Sequence, residues 1–208
     1  MPLILETIVT TTSPAGDLHL VPFGLIREGE EWVLAPFRPS PTILNLEANP
    51  VFAASSPSDV RVIAGAVTGR RDWATLPCDR IPGRRLAESF GHAEFEVISV
   101  EDDATRPRYR ARMVHSASHM PFFGYNRAQA AVLEAAILST RLHMLEPDKI
   151  LTEMRYHAIA ISKTAGPAER EAWDWIEDKV AAALGRDEPV LARAPPSTLE
   201  GAFPRRQG

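Results

Sequence analysis

The chain has 208 residues and one cysteine, and 23 basic side chains against 27 acidic ones leave a net charge of −4. That balance gives a nucleic-acid surface no whole-chain support. The single cysteine excludes an internal disulfide framework and a cysteine-rich zinc site, and no apolar run approaches the roughly 20 residues of a membrane-spanning helix. The opening Met1-Pro2-Leu3-Ile4-Leu5-Glu6 has neither a basic start nor a small-residue cleavage site, so a cytoplasmic protein without a secretory signal is expected.

The first half reads as β structure. Leu3 to Thr12 is rich in Ile, Val and Thr, which suit a pleated strand. Ser13-Pro14-Ala15-Gly16-Asp17 is a turn cluster, and Leu18 to Arg27 resumes a strand. Trp32-Val33-Leu34 returns as a hairpin partner. Ser40 can cap a short helix with Pro41 in its first position and Thr42 to Ala48 in its body. Val51 to Ser55 is a further strand. Arg61 to Val67 reads either as a strand or as a short helix, and residues 68–92 read mainly as loop. Two alternating strands follow, Ala93 to Val100 and Tyr109 to His115. Several short strands without long intervening helices predict a barrel or sandwich.

The composition changes near residue 125. Asn126 is an N-cap candidate, and Ala128 to Leu145 is dense in Ala, Leu, Ile and Val, predicting one long, largely buried helix. Met154, Ala158 and Ile161 recur at helical spacing in a second helix. Ala172, Trp173, Ile176, Val180 and Leu184 do so in a third, which Gly185 can close. The expected organisation is a β domain over residues 1–122, a helical subdomain over 123–185 and an extended or disordered tail over 186–208, which carries four prolines.

The most informative β-half segment runs from Pro36 to Leu46, where a strand meets a capped helix start. Free N–H groups there favour an anion. Arg38 adds charge, while Ser40 and Thr42 add hydroxyls and Asn45 an amide. The segment is either a one-phosphate cradle or simply a helix cap beside a solvated arginine. Val21-Pro22-Phe23-Gly24 offers a backbone without a β-carbon at Gly24, suited either to close approach of a flat ring or to a β-bulge. Thr10, Thr11 and Thr12 add hydroxyls or are plain strand residues. Arg127 either contacts phosphate or pairs with an acid such as Glu134. His115 and His119 would share a face if helical, but they follow a strand pattern and no adjacent acid or cysteine completes a set, so no metal site is expected. Cys78 has no partner pattern for a nucleophile.

Several stretches resemble one known family. Glu6-Thr7-Ile8-Val9-Thr10-Thr11 is similar to its opening strand, and Pro36-Phe37 to Asn45-Leu46 resembles its P-F-x-x-S-x-T-x-x-N-L pattern. Asn126 to Leu142 resembles N-R-A-x-x-A-V-[IL]-E-A-A-I-L-x-[ST]-R-L, and Lys163 to Glu171 resembles K-T-[GA]-G-P-x-E-R-E. The family is DUF447. Ala35 departs from it, standing where a basic residue is expected before the Pro-Phe pair. The resemblance implies an FMN-binding split β-barrel with a C-terminal helical subdomain. It implies FMN as cofactor, with Thr10, Pro22, Phe23, Gly24, Arg38, Ser40, Thr42, Asn45, Asn126 and Arg127 as candidate contacts. It further implies a homodimer with flavin near the interface, and an oxidoreductase acting on a small molecule with NADH or NADPH as a donor. An association with methanopterin-linked one-carbon metabolism comes with it. The alternative is a non-catalytic flavin carrier.

Overall fold

The computed structural model describes residues 2–186. The expectation for the tail falls outside these residues from residue 187 onward. Strands β1 (Leu3–Thr12) and β2 (Leu18–Glu28) pair antiparallel with unbroken register. β3 (Glu31–Leu34) returns from β2, and helix α1 (Pro41–Ala48) follows. Ser40 caps α1 as its sequence predicts, its hydroxyl accepting the Thr42 N–H at 3.2 Å. After β4 (Val51–Pro57), the ambiguous segment resolves as helix α2 (Arg61–Val67). Two long strands, β7 (Ser89–Glu101) and β8 (Arg108–Ser118), complete a closed barrel in the order β1-β2-β3-β8-β7-β4.

Strand alternation sorts the barrel. Val9, Leu25, Leu34, Phe52, Phe95, Tyr109 and Ala111 point inward and form its core. Ile43 and Leu46 of α1 join that core, so α1 plugs one end. The plug is tied to the wall by Asn45, whose amide donates to the Thr11 hydroxyl at 3.0 Å.

Residues 68–92 are more ordered than the sequence predicts. β5 (Thr75–Pro77) and β6 (Arg84–Leu86) form a small hairpin laid over the β1–β4 seam. Long-range bonds hold it: Thr10 Oγ1 donates to the Arg84 carbonyl, and the Leu86 N–H donates to Ser55 Oγ at 3.3 Å. Three-residue strands carry no readable periodicity, which is why local pattern misses them.

The long helix expected over Ala128 to Leu145 is shorter. Helix α3 spans Arg127–Ser139, and a separate 3-10 turn covers Leu142–Met144. Ser139 and Thr140 hydroxyls donate to the Ala136 and Ile137 carbonyls at 2.8 and 2.7 Å. Such back-bonding competes with the helical ladder where it stops. Only one face of α3 is buried, while Arg127, Ala130 and Glu134 stay exposed. Helices α4 (Pro147–Thr164) and α5 (Pro167–Ala183) match the second and third helical patterns. Ala64 of α2 packs into one core with Val132, Ile150, Met154, Trp173 and Ile176 of α3, α4 and α5. A helix from the β-rich half thus completes the helical layer and locks it to the barrel.

Candidate functional site

Because α1 closes one end, the barrel opens at the other. Leu5 and Thr7 of β1, Leu25 of β2, Ala54 of β4, Phe95 of β7 and Ser116 of β8 line a cavity of about 310 Å³ at that mouth. A second cavity of about 350 Å³ lies between the outer face of β1 and the start of α3. Glu6, Ser58, Phe122, Tyr125, Asn126 and Arg127 are among its walls. Ser56 lines both, so the two cavities adjoin at the end of β4.

The charge pattern of the cleft follows from α3. Asn126 is committed to capping: its side-chain oxygen accepts the Ala128 and Gln129 N–H groups at 2.7 and 3.4 Å, and its amide donates to the Thr164 carbonyl at 3.3 Å. Among the described residues the Arg127 guanidinium has no hydrogen bond or ion pair, so its donor fork is open to an anion. Glu6 is pushed above its ordinary range by burial first and by Glu134 second, with Arg141 opposing.

The other expected contacts are distributed around the barrel. Thr10 lies on the outer face of β1, under β6, with its hydroxyl also 3.4 Å from the Ala53 carbonyl. Pro22 stands opposite Ile8 and Gly24 opposite Glu6 on that outer face, while Phe23 packs against the barrel core. No bulge occurs at Gly24. A β-carbon there would sit 2.8 Å from Ile4 Cγ2 and 3.4 Å from Glu6 Oε1, so glycine makes room for β1 side chains crossing over it. Arg38 is half exposed, bonded to Asp102 at 2.9 Å and to the Asp103 carbonyl at 3.2 Å. Ser40 is occupied as the cap. Thr42 is fully buried, its hydroxyl without a partner among the described residues, and Asn45 faces Thr11 inside the plug. Near Ala35, Arg106 donates to the Ala35 carbonyl at 2.9 Å and lies over the Phe37 ring, bringing a cation close to the position where the sequence lacks one. Asn126 and Arg127 therefore line the cavity beside the open mouth, whereas Arg38 to Asn45 gather at the plugged end. Leu5 and Thr11 mark those ends on β1, six residues and about 20 Å apart.

Family comparison accounts for both halves of the chain. A model described as "Protein of unknown function (DUF447) N-terminal domain" matches residues 5–120, and one described as "Protein of unknown function (DUF447)" matches residues 126–178. The chain belongs to the DUF447 family. The FMN-bound DUF447 protein MM1853 from Methanosarcina mazei is similar in structure, with a TM-score of 0.72 at 21% identity, covering 85% of this chain and 94% of that one. This likeness establishes the fold as an FMN-binding-type barrel with C-terminal helices. A 2-nitrobenzoate 2-nitroreductase from Pseudomonas fluorescens aligns at TM-score 0.48 and 17% identity over 57% of this chain and 64% of its own. A flavoredoxin from Methanosarcina acetivorans aligns at 0.49 and 11% over 59% and 72%. No curated protein matches the sequence.

Within this DUF447 chain, the sequence reading did not reach Glu6, Ser56 or Tyr125. Ser56 is the penultimate residue of β4, where the register of the β4–β7 pairing shifts at Ser56/Pro57. Tyr125 is 97% exposed and Phe123 93%, a signal legible only once the fold shows them uncovered. No helix among the described residues is long and apolar enough to cross a membrane.

Proposed function

We propose that this DUF447 chain binds FMN in the cleft at the barrel mouth and works as an oxidoreductase on a small molecule. The observation that carries the reading is that the two cavities share Ser56 as a wall, with the open guanidinium of Arg127 lining the second. The barrel-mouth cavity offers Leu5, Leu25, Trp32 and Phe95 to a flat ring, and the second, although mostly apolar, carries Arg127 with the Ser56 and Ser58 hydroxyls for a phosphate. The donor set at the plugged end fits less well, because Arg38 and Ser40 are already bonded to Asp102 and to the Thr42 N–H. FMN when bound would supply hydride or electron transfer. The chain's own residues would bind and orient it. Arg127 would hold the phosphate, with Ser56 and Ser58 as further donors. Phe122 and Tyr125 would exclude water from the cleft.

The same reading includes a homodimer. Leu3, Ile4, Leu5, Phe123 and Tyr125 are exposed apolar groups around the mouth, and β1 pairs with β4 only over Ile8–Thr10. Among the described residues, Leu3–Thr7 thus leave one backbone edge without a strand partner beside the cleft, which a second copy would cover.

Purified protein tests the proposal. Yellow protein with absorbance near about 450 nm, or stoichiometric uptake of added FMN, is expected. Colourless protein that takes up none sinks it. Anaerobic bleaching by NADH or NADPH separates an enzyme from a flavin carrier, and a substrate panel should include a methanopterin-type pterin. Arg127→Ala should weaken FMN at least tenfold, since bonds to a charged group contribute about 1.5–3 kcal/mol. If Arg38→Ala does so instead, the phosphate belongs at the α1 turn.

A further inference from the structure

On the outer face of the β7–β8 hairpin, four side chains from three stretches of chain converge. His92 and Glu94 come from β7, His115 stands opposite Glu94 on β8, and Asp79 comes from the loop between β5 and β6. One donor atom of each lies within 4.8 Å of all the others. His92 Nε2 and His115 Nε2 each stand 3.4 Å from Asp79 Oδ2. This exceeds the ordinary N–H···O range of about 2.7–3.2 Å. It matches the edge of a tetrahedron around an ion bonded at about 2.0–2.1 Å, which simple geometry puts at about 3.3–3.4 Å.

The surroundings hold these groups in place. Glu94 is fully buried, and its oxygens accept the N–H groups of Asp79, Arg80 and Ile81 at 2.5, 2.8 and 2.9 Å. Those bonds fix the loop that carries Asp79. Glu94 Oε1 also lies 3.0 Å from His92 Nε2. On the far side of the ring, His92 Nδ1 meets His119 Nε2 at 2.9 Å. In the metal-free protein His92 Nε2–H donates to Glu94; a metal ion would replace that proton, with Nδ1–H donating to His119 and the Nε2 lone pair turned to the ion, the arrangement that outer groups impose on metal-binding histidines. A hydrogen-bonded pair of His92 and Glu94 accounts for those two residues alone. It leaves the convergence of His115 and Asp79 without a cause, because among the described residues the His115 ring has no other polar partner.

We propose that Asp79, His92 and His115, backed by Glu94, bind a divalent transition-metal ion of the zinc class. Imidazole and carboxylate suit such ions, and no thiolate joins the set. Asp79 is 53% exposed, so the ion would enter from solvent on the Asp79 side, while His92 also lies among the walls of the barrel-mouth cavity. Neither histidine of the His115/His119 pair reveals this in sequence; the carboxylates arrive from β7 and a distant loop.

The test uses the full-length protein, stripped with a chelator, desalted and titrated with zinc against a chromophoric indicator. One zinc per chain at micromolar affinity or tighter is expected. Asp79→Asn and His115→Ala change partly exposed side chains; each should keep the wild-type circular dichroism yet bind zinc at least tenfold more weakly. His119→Ala should weaken binding by about 10–100-fold. Zinc should raise the melting temperature of the wild type but not that of His115→Ala. Substoichiometric binding by the wild type, or unchanged affinity in both Asp79→Asn and His115→Ala, overturns the proposal. The readout is the metal itself, so it stands or falls independently of FMN.

Discussion

Glu94 takes a full negative charge out of water, and the chain compensates locally. Burial alone would push its carboxyl up; the bonds from His92 and from the N–H groups of Asp79, Ile81 and Arg80 outweigh that and bring it down to about 2. A carboxylate lower in the folded state than its ordinary 4.5 stabilises the fold above pH 4.5. That contribution is lost as the pH falls from about 4.5 toward 2. Glu94→Gln would set an amide N–H₂ against backbone donors, so metal-free protein should lose about 2 kcal/mol or more, from bonds that contribute about 1.5–3 kcal/mol each. Urea unfolding at pH 7 and pH 3 checks both parts: the wild-type advantage should be large at the first and much reduced at the second. A steric counterpart sits nearby at Gly91. A β-carbon there would lie 2.7 Å from the Ala117 carbonyl oxygen, which belongs to the paired strand and cannot swing aside. Gly91→Ala should cost about 1–3 kcal/mol by chemical denaturation; a change within 0.5 kcal/mol would mean that the hairpin yields freely.

Among the elements, α3 sets a capping residue, Asn126, beside the proposed ligand contact, Arg127. Asn126 ties up the first N–H groups of the helix, so Asn126→Ala should cost about 1 kcal/mol of stability. Because its polar atoms are already committed, FMN affinity should change less than in Arg127→Ala, by flavin-fluorescence titration. An equal loss in both would assign Asn126 to the ligand. The elements legible in sequence are those whose cause is local. Ser40 with Pro41 marks α1, Asn126 marks the start of α3, and the Thr- and Val-rich run marks β1. Arg61 to Val67 stayed ambiguous because seven mostly apolar residues satisfy either period, and packing against α5 decides between them. The end of α3 escaped because a Ser-Thr pair stops it without a glycine or proline. Of the candidate cleft's walls, the sequence singled out only Asn126 and Arg127, which one family motif holds together. Its remaining walls, and the Asp79 to His115 convergence, depend on strand register, which no single segment encodes.

At the scale of the molecule, barrel and helices share their support through α2. Trp173 is fully buried in the helical core, so Trp173→Ala should cost about 3–5 kcal/mol. Since α2 joins that core from within the β-rich half, the loss should lower one cooperative transition. Circular dichroism and tryptophan fluorescence should therefore report the same midpoint; two separated transitions would show that the layers unfold independently. The α1 plug has a kinetic corollary. A barrel stoppered by Ile43 and Leu46 has one doorway, so under the proposed oxidoreductase activity an electron donor and an acceptor would have to take turns at its mouth. Double-reciprocal plots of rate against either substrate, at several fixed levels of the other, should give parallel lines, whereas lines that intersect would mean that both reactants fit through the doorway at once.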